Sequence, residues 1–465
     1  MNTSSTPAAW PVPRSSTNRV LLCCFIAILA EGYDVGVLGA ILPALSEYEA
    51  WALSPLELGA LGSYALIGML IGAMTIGTLS DRYGRRNMLV VSVLIFAVAQ
   101  IGVALAPSPE VFGLFRLIGG LGMGGVIPVG AALTIEYSPP EKRSFNYGLM
   151  YSGYSLGILV AGLVAFVLLE HIGWRGVVAI GALPLLILPF LAKATPESLE
   201  YLLIRGRTEE AAQVASKLKI TPYREADWKP IPKADGKKYS TVDSIKVMFT
   251  GKMALGTIGF WISLFCGLLL VYGLNTWLPS LMRSAGYELG SSLTFLMVFS
   301  LASAIGGLLI GGIADKWGKK ICLVTFYLVG AVGILMLMFP NNIFINYGFV
   351  ALAGIGSIST SLVLTGWVAD YYPAYARGTA TGWALSFARI GAISGPLIGG
   401  WIGSAQLPFE WNFIIFAIIG GIAALFIFMI PTKGGEQSAQ QDLELEPDTT
   451  VAGSTAATEQ SYKVK

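Results

Sequence analysis

Twelve separate runs of about twenty apolar residues, each closed by charge or by a proline or glycine turn, leave this 465-residue chain little choice of fold. They centre near Ala30, Gly68, Ala97, Gly124, Leu156, Leu183, Leu268, Ile305, Gly330, Gly356, Ala392 and Ile418. A run of that length crosses a hydrocarbon layer of about 30 Å as a helix rising about 1.5 Å per residue. Charged residues make up only 12% of the chain, about half the share of a soluble protein. The 56 glycines suit close packing of helices. The expected fold class is an all-α membrane protein of twelve transmembrane helices, which excludes a soluble enzyme.

Between the sixth and seventh runs lies the one long polar segment, 193–252. The chain therefore divides into a tail at 1–19, a six-helix half at 20–192, a linker at 193–252, a second six-helix half at 253–431 and a tail at 432–465. The last tail is rich in Gln, Glu, Ser, Thr and Ala and is expected to be disordered. The polar start has no short apolar core followed by a small-residue cleavage site, so no removable signal peptide is expected. With the N-terminus inside, about twenty-six of the 30 basic residues fall on the cytoplasmic side. Arg175 and Arg283 then lie outside, and Arg116 and Arg389 lie within spans. The reverse orientation puts nearly all of them outside, so both termini and the linker are expected to be cytoplasmic. In the linker, 196–219 reads as one amphipathic helix along the membrane face, with Leu199, Leu202, Leu203, Ala211, Ala212, Val214 and Leu218 as its apolar residues. The Pro- and Lys-rich stretch 220–238 reads as mobile.

The chain contains itself twice. Residues 77–86 (GTLSDRYGRR) recur as 311–320 (GGIADKWGKK), 234 positions on. At the same offset Glu136, Tyr137, Pro139 and Arg143 recur as Asp370, Tyr371, Pro373 and Arg377, and Gly148 and Gly157 match Gly382 and Gly391. A constant offset across several loops implies two related halves in parallel orientation, with a site between them near mid-membrane that works by rocking. In the repeated turn, Gly77 and Gly84 permit a tight reversal beside Asp81, Arg82 and Arg85. Asp81 can sit at the positive N-terminus of a helix in the other half, while Arg85 pairs with an acid such as Glu136. Together with Arg143, Asp315, Asp370 and Arg377, these residues are candidates for a gate that latches the cytoplasmic side. Simple positive-inside anchoring is the alternative.

Charge inside the spans is the functional signal. Glu31 and Asp34 are the only charges between Val20 and Leu45 and lie on one helical face. A carboxylate there costs several kcal/mol unless it faces a partner or water, so such residues mark a proton or substrate path or a structural ion pair. Arg116 and Arg389 must also face the interior, and a guanidinium can grip a carboxylate with two prongs. Arg116 is expected to partner the first-helix acids, and Arg389 to meet a substrate carboxylate. Tyr33, Tyr272, Asn275, Trp277, Trp383 and Phe387 supply rings and one amide that suit a flat aromatic ligand, although membrane aromatics more often pack or line the interface. The four cysteines read as buried packing residues, and the lone His171 as peripheral, so no metal and no cofactor is expected.

The repeated turn resembles the loop signature of the major facilitator superfamily, and residues 116–122 (RLIGGLG) resemble its fourth-helix motif. Within it, the first-helix Gly-Tyr-Asp with a preceding acid, the Glu136–Arg143 segment, Pro196-Glu-Ser198, and Asn275 to Pro279 (NTWLP) are similar to the aromatic acid:proton symporters. That family usually carries Asp-Gly-x-Asp, and here Glu31 takes the first place. The resemblance implies two pseudo-symmetric halves and import of benzoate or a hydroxybenzoate with protons by alternating access. It also implies a bacterial inner membrane. The expected partners are a small aromatic acid, protons and the bilayer, not nucleic acid, and the chain is expected to act as a monomer. A same-fold carrier of another organic acid or a sugar, or a proton-coupled drug exporter, is the alternative.

Overall fold

The computed structural model describes residues 12–221, 223, 241–339, 341–373 and 375–431, with the side chains at 241, 308 and 315 left out. The tails 1–11 and 432–465, and most of the stretch expected to be mobile, lie outside the described residues. The first half holds α1 (Arg14–Ser46), α2 (Pro55–Tyr83), α3 (Arg85–Ala104), α4 (Pro109–Glu136), α5 (Arg143–Ile180) and α6 (Pro184–Ala194). The linker contributes α7 (Leu199–Ile204), α8 (Thr208–Lys217) and α9 (Thr241–Met248). The second half holds α10 (Gly251–Ser284), α11 (Leu289–Trp317), α12 (Lys319–Met336), α13 (Ile343–Gly354), α14 (Thr360–Tyr371), α15 (Arg377–Ser404) and α16 (Glu410–Met429).

Among the described residues, eleven stretches are long and apolar enough to cross a membrane, and one of them, Pro140–Ala194, has 55 residues. At about 1.5 Å per residue that is far too long for one crossing. It turns back at Gly173, whose φ of 65° only glycine adopts readily. Twelve crossings result. The tenth joins α13 to α14 through a wide turn at Ile355–Ser359, where Gly330 and Gly356 approach so closely that a Cβ on either would strike the other's backbone.

The repeat survives in three dimensions. Helices α2, α3, α4 and α5 start at Pro55, Arg85, Pro109 and Arg143, and α11, α12, α13 and α15 start 234 positions later at Leu289, Lys319, Ile343 and Arg377. The turn glycines Gly84 and Gly318 share one unusual backbone conformation, with φ of 99° and 86°. Each is followed by a basic residue that reaches the same acid position, Arg85 to Glu136 at 2.8 Å and Lys319 to Asp370.

Within each half, α1 packs along α5 and α10 along α15, and the halves meet through α1–α10, α2–α15 and α5–α11. The meeting is lopsided. On the face opposite the linker, a Cβ on Gly59 would strike the Pro396 carbonyl and one on Gly400 the Pro55 carbonyl. There Ser63 Oγ donates to the Ile393 carbonyl at 2.8 Å, and Arg283 of α10 meets Glu47 at 2.9 Å. On the linker face, Gly77, Gly311, Gly312, Gly378 and Gly382 have open space where a Cβ would stand.

The linker departs from the single surface helix expected. Gly206, with φ of 70°, breaks it into α7 and α8. Ala212 is exposed, whereas Leu199, Leu202, Leu203, Ala211, Ala215 and Leu218 are buried against the first half. Ser16 Oγ bonds the Leu218 carbonyl at 2.8 Å, and Tyr201 Oη the Arg82 carbonyl at 3.0 Å. On the exposed side of α8, Arg207 holds the Glu210 carboxyl below its usual range by a direct hydrogen bond.

Candidate functional site

Glycines place the acids. A Cβ on Gly32 would overlap the Tyr154 carbonyl and one on Gly157 the Leu29 carbonyl, so α1 can lie against α5 only with bare backbone at the crossing. That crossing turns Glu31 and Asp34 into the interior, where they are 0% and 2% exposed. Asp34 is bonded by Arg116 Nη1, and the same nitrogen lies 3.2 Å from the Asp34 carbonyl. The expected partnership of Arg116 with a first-helix acid is present, and it falls on Asp34. Glu31 differs: neither carboxylate oxygen has a hydrogen-bond partner among the described residues. The charges whose fields reach it are those of Arg389, from the other half, and Asp34.

Arg389 is half-buried, with Nη1 3.9 Å from Met69 Sδ of the first half and Tyr272 beside it. Asn275 of α10 is buried and donates to the Val35 carbonyl of α1 at 3.1 Å, and its own carbonyl oxygen has no hydrogen-bond partner among the described residues. Arg389, Tyr272 and Glu31 converge across the boundary between the halves, and Asn275 crosses it to the backbone of α1. Two other expected ligands are engaged in packing instead. The Tyr33 hydroxyl donates to the Val177 carbonyl at 2.6 Å, and Trp277 Nε1 to the Pro396 carbonyl at 2.8 Å. Each tie holds two helices of one half together. Trp383 and Phe387 form a separate stack with Trp261, at centroid distances of 6.0 and 5.3 Å. Trp383 is 46% exposed.

Two groups at the site escaped the sequence reading. Gln100 of α3 is buried beside Asp34, and neither of its side-chain polar atoms completes a well-formed hydrogen bond among the described residues. A lone amide in an apolar run was the available signal. Tyr147, Tyr151 and Tyr154 rise on successive turns of α5, legible as i, i+4, i+7 spacing. Tyr151 lines a cavity of about 30 Å³ with Ser155, Ser303 and Ser359, room for about one water. The Tyr154 hydroxyl is buried with the Tyr272 hydroxyl as its polar neighbour, and among the described residues it completes no hydrogen bond of good geometry.

The residues expected to form a gate fall at the linker face. Arg85 bridges Glu136 and Glu200, and Glu136 also accepts from the Glu200 backbone N–H at 3.1 Å. Glu197 accepts from the Arg86 backbone N–H at 3.0 Å. Arg82 lies over the Tyr83 ring at 5.4 Å. Asp81 is exposed, and among the described residues its carboxylate forms no ion pair or hydrogen bond, although its backbone carbonyl accepts from Arg205 at 3.1 Å. Arg143 and Arg377 open α5 and α15 and are exposed. The Asp315 side chain lies outside the described residues. An Asp81 contact across the halves, as a closed linker face requires, is absent among the described residues in this conformation. The cysteines are free and buried, His171 is exposed, and no cluster of metal-ligating side chains occurs among the described residues.

Known proteins resemble this chain in sequence and in fold. The profile of the Major Facilitator Superfamily matches residues 24–384 and 296–459. The chain is 33% identical over 417 residues to the benzoate transport protein of Acinetobacter baylyi, covering 89% of each. It is 34% identical over 415 residues to the gentisate transporter of Corynebacterium glutamicum, covering 88% of this chain and 86% of that one. It is 31% identical over 398 residues to the 4-hydroxybenzoate transporter PcaK of Pseudomonas putida, covering 85% of this chain and 87% of that one. Among solved structures, the inward-open xylose transporter XylE from E. coli superposes with a TM-score of 0.73, covering 91% of this chain and 99% of that one. At 19% identity that likeness concerns the fold alone.

Proposed function

The chain belongs to the major facilitator superfamily, and from that premise we propose that it imports an aromatic carboxylate, of benzoate or hydroxybenzoate type, together with protons. The observation that carries this reading is the contrast between the two first-helix acids. Asp34 is tied to Arg116, whereas Glu31 is fully buried with no hydrogen-bond partner among the described residues, within reach of the Arg389 charge. A buried charge without a partner is costly, so Glu31 suits a group that takes up and releases a proton in each cycle. Arg389 supplies the guanidinium that an organic anion needs, with Tyr272 at its side. Relatives named for benzoate, gentisate and 4-hydroxybenzoate support the aromatic class.

On this reading the linker face is cytoplasmic, as the basic residues favour, and the membrane is a bacterial inner membrane. The units are the halves 20–192 and 253–431 joined by 193–252, acting within a single chain. The open linker face corresponds to the state that releases substrate. Asp81, Arg82, Arg85, Glu136, Arg143, Asp315, Asp370 and Arg377 would close it when the halves rock back, with Gly77 and Gly84 giving the turn its freedom.

The test is uptake of labelled benzoate into cells making the protein, with and without a protonophore, beside Glu31→Gln and Asp34→Asn. Glu31→Gln is expected to bind benzoate and exchange it while failing to accumulate it against a gradient. Accumulation by Glu31→Gln that still collapses with protonophore would move the proton site elsewhere. Uptake of another acid but not benzoate would remove the aromatic assignment and leave the carrier.

A further inference from the structure

The tyrosines of α5 are not needed by the proton step, yet they form the most ordered aromatic feature at the site. The Tyr147 and Tyr151 rings lie 6.2 Å apart and those of Tyr151 and Tyr154 5.9 Å apart, each pair inclined by only 26°. Tyr147 and Tyr151 are half-buried, and Tyr154 is buried. The row therefore starts near the linker-face end of α5, passes the cavity lined by Tyr151, and ends at Tyr272 and the Glu31 site.

The end of the row carries an unmet hydrogen bond. The Tyr154 hydroxyl has Tyr272 as its polar neighbour but completes no well-formed hydrogen bond among the described residues, and a buried polar group left so poorly paired destabilises the fold. Gly32 of α1 rests on the Tyr154 backbone carbonyl, so the helix crossing does not explain the phenol. The guanidinium of Arg389 can only donate, whereas a phenol can both donate and accept. A ligand whose carboxylate occupies Arg389 and whose ring bears a hydroxyl would find its acceptor in Tyr154.

We propose that Tyr154 is the specificity-determining residue of the site, accepting a hydrogen bond from a ring hydroxyl of the aromatic acid, with Tyr147 and Tyr151 stacking the ring between the linker face and the site. This inference rests on the aromatic carboxylate reading above. It predicts preference for a hydroxylated ring over benzoate, because a site built to bond a hydroxyl discriminates against the analogue that lacks it.

The experiment is equilibrium binding of labelled benzoate, 3-hydroxybenzoate and 4-hydroxybenzoate to the purified full chain and to Tyr154→Phe. The unmodified protein is expected to prefer one hydroxybenzoate, and Tyr154→Phe to weaken that ligand about tenfold while benzoate changes less than about twofold. Benzoate binding serves as the internal check that the variant is folded. A loss shared equally by benzoate and hydroxybenzoate, or no loss, overturns the proposal. A second measurement needs no variant: the methyl ether of the preferred acid cannot donate, and binding of the ether as tight as the phenol also overturns it. Binding of hydroxybenzoates by the unmodified protein with no change in Tyr154→Phe would leave the aromatic carboxylate reading standing and remove this contact alone. Failure of all three acids to bind would remove both.

Discussion

The two halves share their mechanics and divide their chemistry. Helix starts, turn glycines and the basic-to-acid pair at the linker face recur at one offset. The charged groups inside the membrane do not. At that offset Glu31 and Asp34 correspond to Phe265 and Leu268, Arg116 to Val350, and Arg389 to Ser155. Indeed α10 carries no charge between Lys252 and Arg283. Glu31, Asp34 and the arginine paired with Asp34 belong to the first half, and Arg389, the guanidinium proposed to meet the substrate anion, belongs to the second. A rocking carrier needs two similar levers, so the repeat preserves turns and crossings. It needs only one set of reacting groups, and groups placed on opposite halves can separate or approach as the halves move.

The division is broken most severely by removing Arg116. Without it Asp34 is a buried charge with no cation, and loss of one partner of a buried pair costs about 3–5 kcal/mol. Arg116→Ala is expected to yield little folded protein by fluorescence-detected size exclusion. The double variant Asp34→Asn with Arg116→Gln removes both charges and is expected to recover folded protein. Val350→Ala, at the matching place in the second half, removes apolar packing and no charge, and is expected to stay folded. Equal losses from Arg116→Ala and Val350→Ala would show that the pair is not what sets the first half apart.

The shared turn offers a finer comparison. Arg85 and Glu136 are 18% and 7% exposed and are braced by Glu200 of the linker, whereas Lys319 and Asp370 are 32% and 61% exposed. Arg85→Ala is expected to lower stability by about 2–3 kcal/mol, between surface and buried values, and Lys319→Ala by less than about 1 kcal/mol. Thermal unfolding in detergent reads the difference. The turn glycines sharpen it: Gly84→Ala and Gly318→Ala each force a side chain into a glycine conformation at about 1–3 kcal/mol. Gly84→Ala also drives its Cβ into the Glu197 carboxylate, while Gly318 has open space, so the first-half variant is expected to unfold at the lower temperature.

The mechanics were the more legible part of the sequence. Apolar runs give spans, and a repeat with matched acids, prolines and arginines gives two levers, because both depend on residue type and spacing alone. Gly206 could have warned that the linker helix breaks, but glycine within an amphipathic pattern is also tolerated. The site was legible in its charges, since Glu31, Asp34, Arg116 and Arg389 have no place in a membrane except the interior. It was poorly legible in its aromatics. Tyr33 and Trp277 are spent on carbonyls within their own half, and the row on α5 was passed over, because which face a ring presents follows from helix rotation and not from the ring's identity.

The smallest expected effect lies where the halves touch opposite the linker. Arg283 and Glu47 join α10 to α1 at 2.9 Å but are 40% and 62% exposed, so the pair contributes less than about 1 kcal/mol to the fold. Its consequence falls on conformation instead. The pair joins the two halves across that face, whereas the Asp34–Arg116 pair lies within one half. Arg283→Gln is therefore expected to leave thermal unfolding unchanged. It would shift the population toward the state open opposite the linker by up to about fivefold, since 1 kcal/mol corresponds to that ratio. Cysteine labelling, in a background lacking the four natural cysteines, reads the shift, with Glu47→Cys compared with and without a charge-reversed Arg283→Glu as its control. Because both members of that comparison lack the ion pair, equal labelling is the expected result. The informative contrast is Ser63→Cys, deeper on the same face, which should label faster in Arg283→Gln than with Arg283 intact. Identical labelling there would mean that glycine-to-carbonyl packing at Gly59 and Gly400 alone holds the face shut.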